Sequence, residues 1–363
     1  MSVEQAKTGC VVVRSSEMSA VPAVELIELS RNESAMAIPP HWLQVAVRAA
    51  GAASSYPDPD CELLRKAIAG TFHLDPQRIV CGAGLMECLH SIALGYLHPG
   101  DEVVIPENAF AFFRSITEIV GARATLVRES DWHVDTASIL EAVDESTKMV
   151  IFANPANPTG TYLSRQSIVE LRLQLPPETL LVIDEAYAEF VGDDRYEPLF
   201  DLADTANTIV LRTFSKAYGL AGFRVGWAYC PSSSVDCLRR IQVPAIVNSV
   251  AQAIATVAVQ DQVSLACFKR EMLASRGRFI DKLIGLDRIR ILESETNFVL
   301  LRTRSEAEAQ NLDVFLRHHG IILRRQPAVG LGHCLRATIG TEKQMQIVAS
   351  RILEWCSEVP KVA

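Results

Sequence analysis

No stretch of this chain approaches the roughly 20 consecutive apolar residues that cross a bilayer, although 49% of its 363 residues are hydrophobic. That absence argues against a membrane-spanning helix and leaves the apolar residues for a sizeable core. The opening stretch, MSVEQAKTGCVVVRSSEMSA, has neither the basic n-region nor the long apolar h-region of a secretory signal, so the expected location is the cytoplasm. The nine cysteines never form C-x-x-C and never stand at zinc spacing with histidines. Neither a disulfide framework nor a metal centre is expected. A surplus of basic residues is also lacking. With 35 Lys and Arg against 43 Asp and Glu, the net charge is −8, which argues against nucleic-acid or anionic-membrane partners. Small anionic ligands need only a few local arginines and stay open. Repeats, low-complexity tracts and obvious linkers are missing too, so the parts of the chain are expected to pack tightly.

What is present is a series of short apolar, β-rich runs separated by helical stretches. The runs are RIVCGA (78–83), DEVVIP (101–106), ARATLVR (122–128), KMVIFAN (148–154), LLVIDEA (180–186), TIVLRTFS (208–215) and RVGWAYC (224–230). Nearly continuous apolar runs suit strands buried on both faces of a mostly parallel sheet. Between them, 85–100 and 165–175 carry apolar residues at helical spacing. The pattern predicts a doubly wound α/β unit with right-handed crossovers. Near residue 240 the texture changes. One or two long helices are expected over 247–286, then short strands in IRILESETNFVLLRT, GIILRRQ and HCLRATIG, and a closing helix over 341–357. The boundaries that follow are a large domain over 41–245 and a smaller α+β domain made of 1–40 and 246–363.

Four turns after predicted strands could carry chemistry. VIDEAYAEF puts Asp184 at the carboxyl end of a buried strand, where ligands of open α/β sheets gather; a carboxylate there needs a partner, an arginine, a helix N-terminus or a protonated ring nitrogen. NPANPTG (154–160) is a turn by its prolines and glycine, and offers Asn154 and Asn157 on the same edge. TFSKAYGLAGFRVGW (213–227) places one lysine, Lys216, among small residues. A desolvated lysine amine is a nucleophile, though an isolated Ser-Lys pair is more often a surface turn. The Gly-Ala-Gly turn at 82–84 opens a helix and could bind phosphate on backbone N–H groups, or simply be a turn.

Asn157, Asp184 and Lys216, in that order and each just after a strand, resemble the fold-type I pyridoxal-phosphate aminotransferases, and most of all the histidinol-phosphate aminotransferases. The likeness extends over roughly residues 25 to 345 and includes YPDP (56–59), GAG (82–84), NPANPTG, DEAY (184–187), TFSKAYGLAGFRVGW and LRATIG (335–340). It implies an α/β fold of fold type I: a large domain with a mostly parallel seven-stranded sheet and a smaller α+β domain. It also implies pyridoxal 5′-phosphate as cofactor, small anionic amino-acid or amino-phosphate substrates, and a homodimer. By the resemblance, Lys216 bonds the cofactor and shuttles a proton, Asp184 pairs with its ring nitrogen, and Asn157 and Tyr187 hydrogen-bond its phenolic oxygen. Phe110 stacks on the ring, while Ser215, Arg224, Thr213 and the amides of Ala83 and Gly84 hold the phosphate. Tyr56 is similar to a tyrosine that reaches across a dimer interface. Arg336 matches the arginine that grips the α-carboxylate or its equivalent, and Arg324 the one facing a distal phosphate, with Arg325 as the alternative register.

The implied reaction is ping-pong amino transfer between glutamate/2-oxoglutarate and a second pair, histidinol phosphate/imidazole-acetol phosphate first. Alternatives are an aromatic or other amino acid, decarboxylation of a phosphorylated amino acid, or a regulatory module without turnover. The last is disfavoured, because no DNA-binding extension precedes the domain and the lysine is intact. The chain departs from the family at SRNESAMAIPP (30–40), where Asn32 and Glu33 match but Ser34, Ala35 and Met36 do not. It departs again where the phosphate turn continues with Gly84 and Leu85 instead of an Asx-Glu pair. Both departures bear on substrate, not on cofactor chemistry.

Overall fold

The computed structural model describes residues 26–358. A short strand, β1 (Ile27–Glu28), comes first. Each of the seven apolar runs then forms a strand: β2 (Ile79–Gly82), β3 (Glu102–Pro106), β4 (Arg123–Val127), β5 (Thr147–Ala153), β6 (Leu180–Asp184), β7 (Thr208–Thr213) and β8 (Gly226–Tyr229). They make one sheet in the order β2-β8-β7-β6-β5-β3-β4. All neighbours are parallel except β8, which is antiparallel to both β2 and β7. β6 and β7 are buried along their whole length, which is why their sequences show no alternation.

This topology decides where the polar turn residues go. β5, β6 and β7 run the same way, so Asp184 at the end of β6 and the turns carrying Asn157 and Lys216 come together on one edge. Because β8 runs backwards, its first residue lies on that edge as well. Gly226 stands opposite both Gly82, the last residue of β2, and Thr213, the last of β7. Two segments distant in sequence, the Gly-Ala-Gly turn and Arg224, thereby meet the lysine turn.

The long helical stretch near residue 250 is two helices, Ser249–Gln260 and Gln262–Leu283. They part at Asp261, whose side chain caps the second by accepting from the Ser264 N–H. Beyond them come β9 (Ile289–Ile291), β10 (Phe298–Thr303), β11 (Ile321–Ile322), β12 (Arg324–Gln326) and β13 (Leu331–Thr338). Four of these form an antiparallel sheet, β12-β13-β10-β9, while β11 pairs with β1 in parallel. The helix Glu342–Glu358 closes the described chain. Among the described residues, no helix is long and apolar enough to cross a membrane, and no cluster of His, Cys, Asp or Glu is arranged to hold a metal ion. The eight described cysteines are free.

Beneath the candidate edge lies a buried ionic cluster. Arg212 donates to Glu185 at 3.1 Å, to Glu189 at 2.6 Å and to the Tyr196 hydroxyl at 2.8 Å. Arg212 is 3% exposed and Glu185 1%. Burial pushes the Glu185 carboxyl up to about 7 against the pull of Arg212, so the carboxylates depend on that guanidinium. Arg212→Met is expected to lose about 3–5 kcal/mol of stability, because it strands buried carboxylates. A urea titration measures this as a lowered midpoint; a loss below about 1 kcal/mol would show that the carboxylates find protons or other partners without cost.

Candidate functional site

A cleft of about 420 Å³ opens at the carboxyl edge of the large sheet. Lys216, just beyond β7, lines it. Its Nζ donates to the main-chain carbonyls of Asn32 at 3.1 Å and Arg31 at 3.4 Å, and lies 5.7 Å from the Tyr187 ring centre. Lys216 is the only lysine among the described lining residues.

Asp184 ends β6 and is 5% exposed. One carboxylate oxygen accepts from the Ala186 N–H at 2.9 Å. Burial raises its pKa to about 6, while the Ala186 N–H and the charge of Lys216 act in the opposite direction. A carboxylate so held has a strong demand for a cation in the cleft. Tyr187, in the turn after β6, is buried edge-on to Phe298, and its hydroxyl accepts from Asn32 Nδ2 at 2.8 Å. Asn32 has φ +55, a left-handed conformation that asparagine tolerates better than most residues. The kink lets its side chain enter the core while its carbonyl meets Lys216. Asn297 steadies the same segment, donating to the Asn32 carbonyl at 3.1 Å.

Asn157 stands in the turn after β5. Its Oδ1 accepts from Arg336 Nη1 at 2.6 Å, which commits the amide oxygen and leaves the NH₂ as a donor toward the cleft. Arg336 also donates to the Ser30 carbonyl at 2.8 Å. Burial lowers its pKa, with smaller influences from Tyr187 and Arg324. Phe110 lines the cleft ahead of the helix Ala111–Ile119, its ring edge-on to Phe113.

The other end of the cleft has the features of an anion cradle. Arg224, at φ +57, donates to the Ala221 carbonyl at 3.0 Å and to Ser215 Oγ at 3.4 Å. Thr213 Oγ1 accepts from the Ser215 N–H at 3.1 Å. Gly84 faces this group at φ +83, and a Cβ on it would lie 2.4 Å from Arg224 Nη2. A Cβ on Gly226 would lie 2.7 Å from the Leu85 backbone nitrogen. The space is kept open by having no side chains in it.

Leu85 and Met86, the first residues of the helix Leu85–Tyr96, line the cleft. Gly84 is the N-cap of that helix, and its N–H donates to the Gly82 carbonyl at 2.7 Å. The segment Ser34, Ala35 and Met36 lines a cavity of about 460 Å³ beside Phe190 and Phe268, which shares Glu33 with the lysine cleft.

Arg324 lies outside the inner cleft, on a contiguous outer cavity of about 690 Å³ that shares Arg31, Phe110, Asn157 and Arg336 with it. Arg324 and Arg336 are directly paired across β12 and β13, so they share a face of that sheet. Arg325 points elsewhere, to Glu306 at 3.0 Å and the Gly332 carbonyl at 3.2 Å. Tyr56 is 96% exposed and does not border the cleft.

The cleft fits pyridoxal phosphate on its own chemistry. A buried carboxylate needing a cation, an aromatic wall, an amide donor, a lysine, and an open cradle with an arginine, two hydroxyls and a helix start match the groups of that molecule.

The sequence pattern of the family described as "Aminotransferase class I and II" matches residues 24–352. The chain is 38% identical over 344 residues to the histidinol-phosphate aminotransferase of Granulibacter bethesdensis, covering 94% of this chain and 93% of that one. It is also 38% identical to the histidinol-phosphate aminotransferase of Ruegeria pomeroyi, with 90% of each covered. Among solved structures, the histidinol-phosphate aminotransferase from Sinorhizobium meliloti in complex with pyridoxal-5′-phosphate superposes with a TM-score of 0.87 at 30% identity, covering 91% of this chain and 90% of that one.

Proposed function

The chain belongs to the class I and II aminotransferase family and is a pyridoxal-phosphate-dependent aminotransferase; from that premise we propose that it moves an amino group between the pairs glutamate/2-oxoglutarate and histidinol phosphate/imidazole-acetol phosphate. The observation that carries the substrate reading is the pair Arg324 and Arg336 on one face of β12 and β13, at the join of the inner and outer cavities. Glutamate has two carboxylates. Histidinol phosphate has a phosphate and no carboxylate. One pair of arginines can serve both, because guanidinium groups bind carboxylate and phosphate with the same paired N–H geometry.

When bound, pyridoxal phosphate supplies an electron sink for the pair left on the substrate carbon as its proton departs. The residues do the rest. Lys216 Nζ attaches the cofactor, and once released takes the proton from the substrate carbon and holds it for redelivery. Asp184 keeps a positive charge at the ring nitrogen, which its burial favours. The free NH₂ of Asn157 and the Tyr187 hydroxyl, oriented by Arg336 and Asn32, donate to the cofactor's phenolic oxygen. Ser215, Thr213, Arg224 and the first N–H groups of the helix Leu85–Tyr96 anchor the phosphate. Phe110 covers the ring face and keeps water from it.

The test is a half-reaction screen. Glutamate and histidinol phosphate are each expected to discharge the yellow absorbance of the lysine-bound cofactor. No change with histidinol phosphate, alongside a full change with phenylalanine, would remove histidinol phosphate as the substrate.

The same reading extends to a homodimer and to a division of the chain into 41–245 and the pair 1–40 with 246–363, residues 1–25 lying outside those described. Tyr56, Val47, Leu63 and Val243 are all at least two-thirds exposed, which supports a covered face in solution. Mixing inactive Tyr56→Ala and Lys216→Ala proteins is expected to recover part of the activity through hybrid dimers. A monomer by sedimentation that still turns over would contradict it.

A further inference from the structure

The arginines around the outer cavity are unequally committed. Arg31, Arg317, Arg324, Arg325 and Arg336 line it with one carboxylate, Asp313. Asp313 holds Arg317 at 3.0 Å and Glu306 holds Arg325 at 3.0 Å. Arg336 meets the neutral oxygens of Asn157 and Ser30, and Arg324 has no ion pair among the described residues. Arg31 meets Glu33 at 3.8 Å, with side chains 67% and 52% exposed. An exposed pair at that distance contributes little and costs little to leave.

Arg31, like Arg336, is placed to feel both halves of the site. It borders the inner cleft and the outer cavity, and its carbonyl is an acceptor for Lys216 Nζ. The left-handed turn at Asn32 sends the Asn32 side chain inward to Tyr187 and leaves Arg31 at the mouth.

We propose that Arg31 is a third anion anchor, which leaves Glu33 for the distal phosphate of a substrate held by Arg324 and Arg336, and so favours a dianion over a neutral or singly charged group. A phosphate has three terminal oxygens, enough for a third guanidinium after two have bound. Taking a dianion out of water requires its charge to be matched, and beyond Arg324 and Arg336 the least committed arginine on the cavity is Arg31, since Arg317 and Arg325 are held at 3.0 Å by Asp313 and Glu306. The inference rests on the phosphorylated-substrate reading above.

The experiment uses holoenzyme of the wild type, Arg31→Ala and Arg31→Lys, with histidinol phosphate and histidinol as parallel substrates. The ratio of their kcat/KM values is expected to fall about 10-fold in Arg31→Ala, through KM, as for loss of one charge-assisted hydrogen bond. Inorganic phosphate should inhibit the glutamate half-reaction about 10-fold more weakly in that variant. Arg31→Lys should retain part of both effects. The proposal is overturned if ratio and inhibition both stay unchanged. It is equally overturned if histidinol suffers as much as histidinol phosphate, since the segment would then act only by shaping the lysine site. A wild type with no preference for histidinol phosphate would instead sink the substrate reading, and inorganic phosphate inhibition would then decide the role of Arg31 alone.

Discussion

Lys216→Ala is expected to lower kcat by about 10⁴-fold or more, since it removes both the attachment point and the proton carrier. The fold should survive. Lys216 contributes two hydrogen bonds to main-chain carbonyls of Arg31 and Asn32, at a position only partly buried. Cofactor binding should survive too, because the cradle of Arg224, Ser215 and Thr213 and the carboxylate of Asp184 do not involve the lysine side chain. The variant is therefore expected to bind pyridoxal phosphate without a covalent link. Borohydride treatment of the wild type followed by peptide mapping should find the label on Lys216. Label on a different lysine, or a variant with more than about a tenth of wild-type rate, would remove Lys216 from this role.

Asp184→Asn is expected to cost on the order of 10³-fold in kcat with the fold intact, as when a charged partner of the reacting centre is lost. The amide can still accept from the Ala186 N–H, as Asp184 does at 2.9 Å, but carries no charge. The pH dependence follows from the same burial. In the ligand-free protein the Asp184 pKa is raised to about 6, above the unfolded value of about 3.9. A raised carboxyl pKa means a contribution to stability that is fully present below the unfolded value and lost as pH rises through about 6. A bound ring cation reverses that penalty. Cofactor affinity is expected to strengthen as pH rises through about 6 in the wild type, and to lose that part of its pH dependence in Asp184→Asn. Titrating cofactor into both apoproteins across that range measures the difference. Equal pH profiles, or a near wild-type rate in the variant, would detach Asp184 from the cofactor.

Much of this site is legible in the sequence. The strands β5, β6 and β7 are apolar runs that end abruptly in polar turns, and parallel strands deliver their carboxyl ends to one edge. Asn157, Asp184 and Lys216 could thus be grouped without knowing a distance. The Gly-Ala-Gly turn is visible in the sequence, but the start of its helix at Leu85 and the bond from the Gly84 N–H to the Gly82 carbonyl come only with the fold. Asn32 was visible only as a matching letter. Its work, donating to Tyr187 and presenting its carbonyl to Lys216, depends on contacts across more than 150 residues of chain.

The sequence by itself determined the family, the sheet and the cleft's chemical groups, since each is written in a contiguous stretch whose periodicity or turn chemistry is local. Only the tertiary structure decided the directions of Arg324 and Arg325. Arg324 and Arg325 are adjacent and alike, and alternation along a strand sends them to opposite faces. Nothing local says which face is the cleft. The pairing of Arg324 with Arg336 across β12 and β13, and the capture of Arg325 by Glu306, separate the two through registers that form only once the sheet is assembled. The same holds for Arg31, whose place at the mouth of both cavities comes from a left-handed turn at Asn32 held by residues far along the chain.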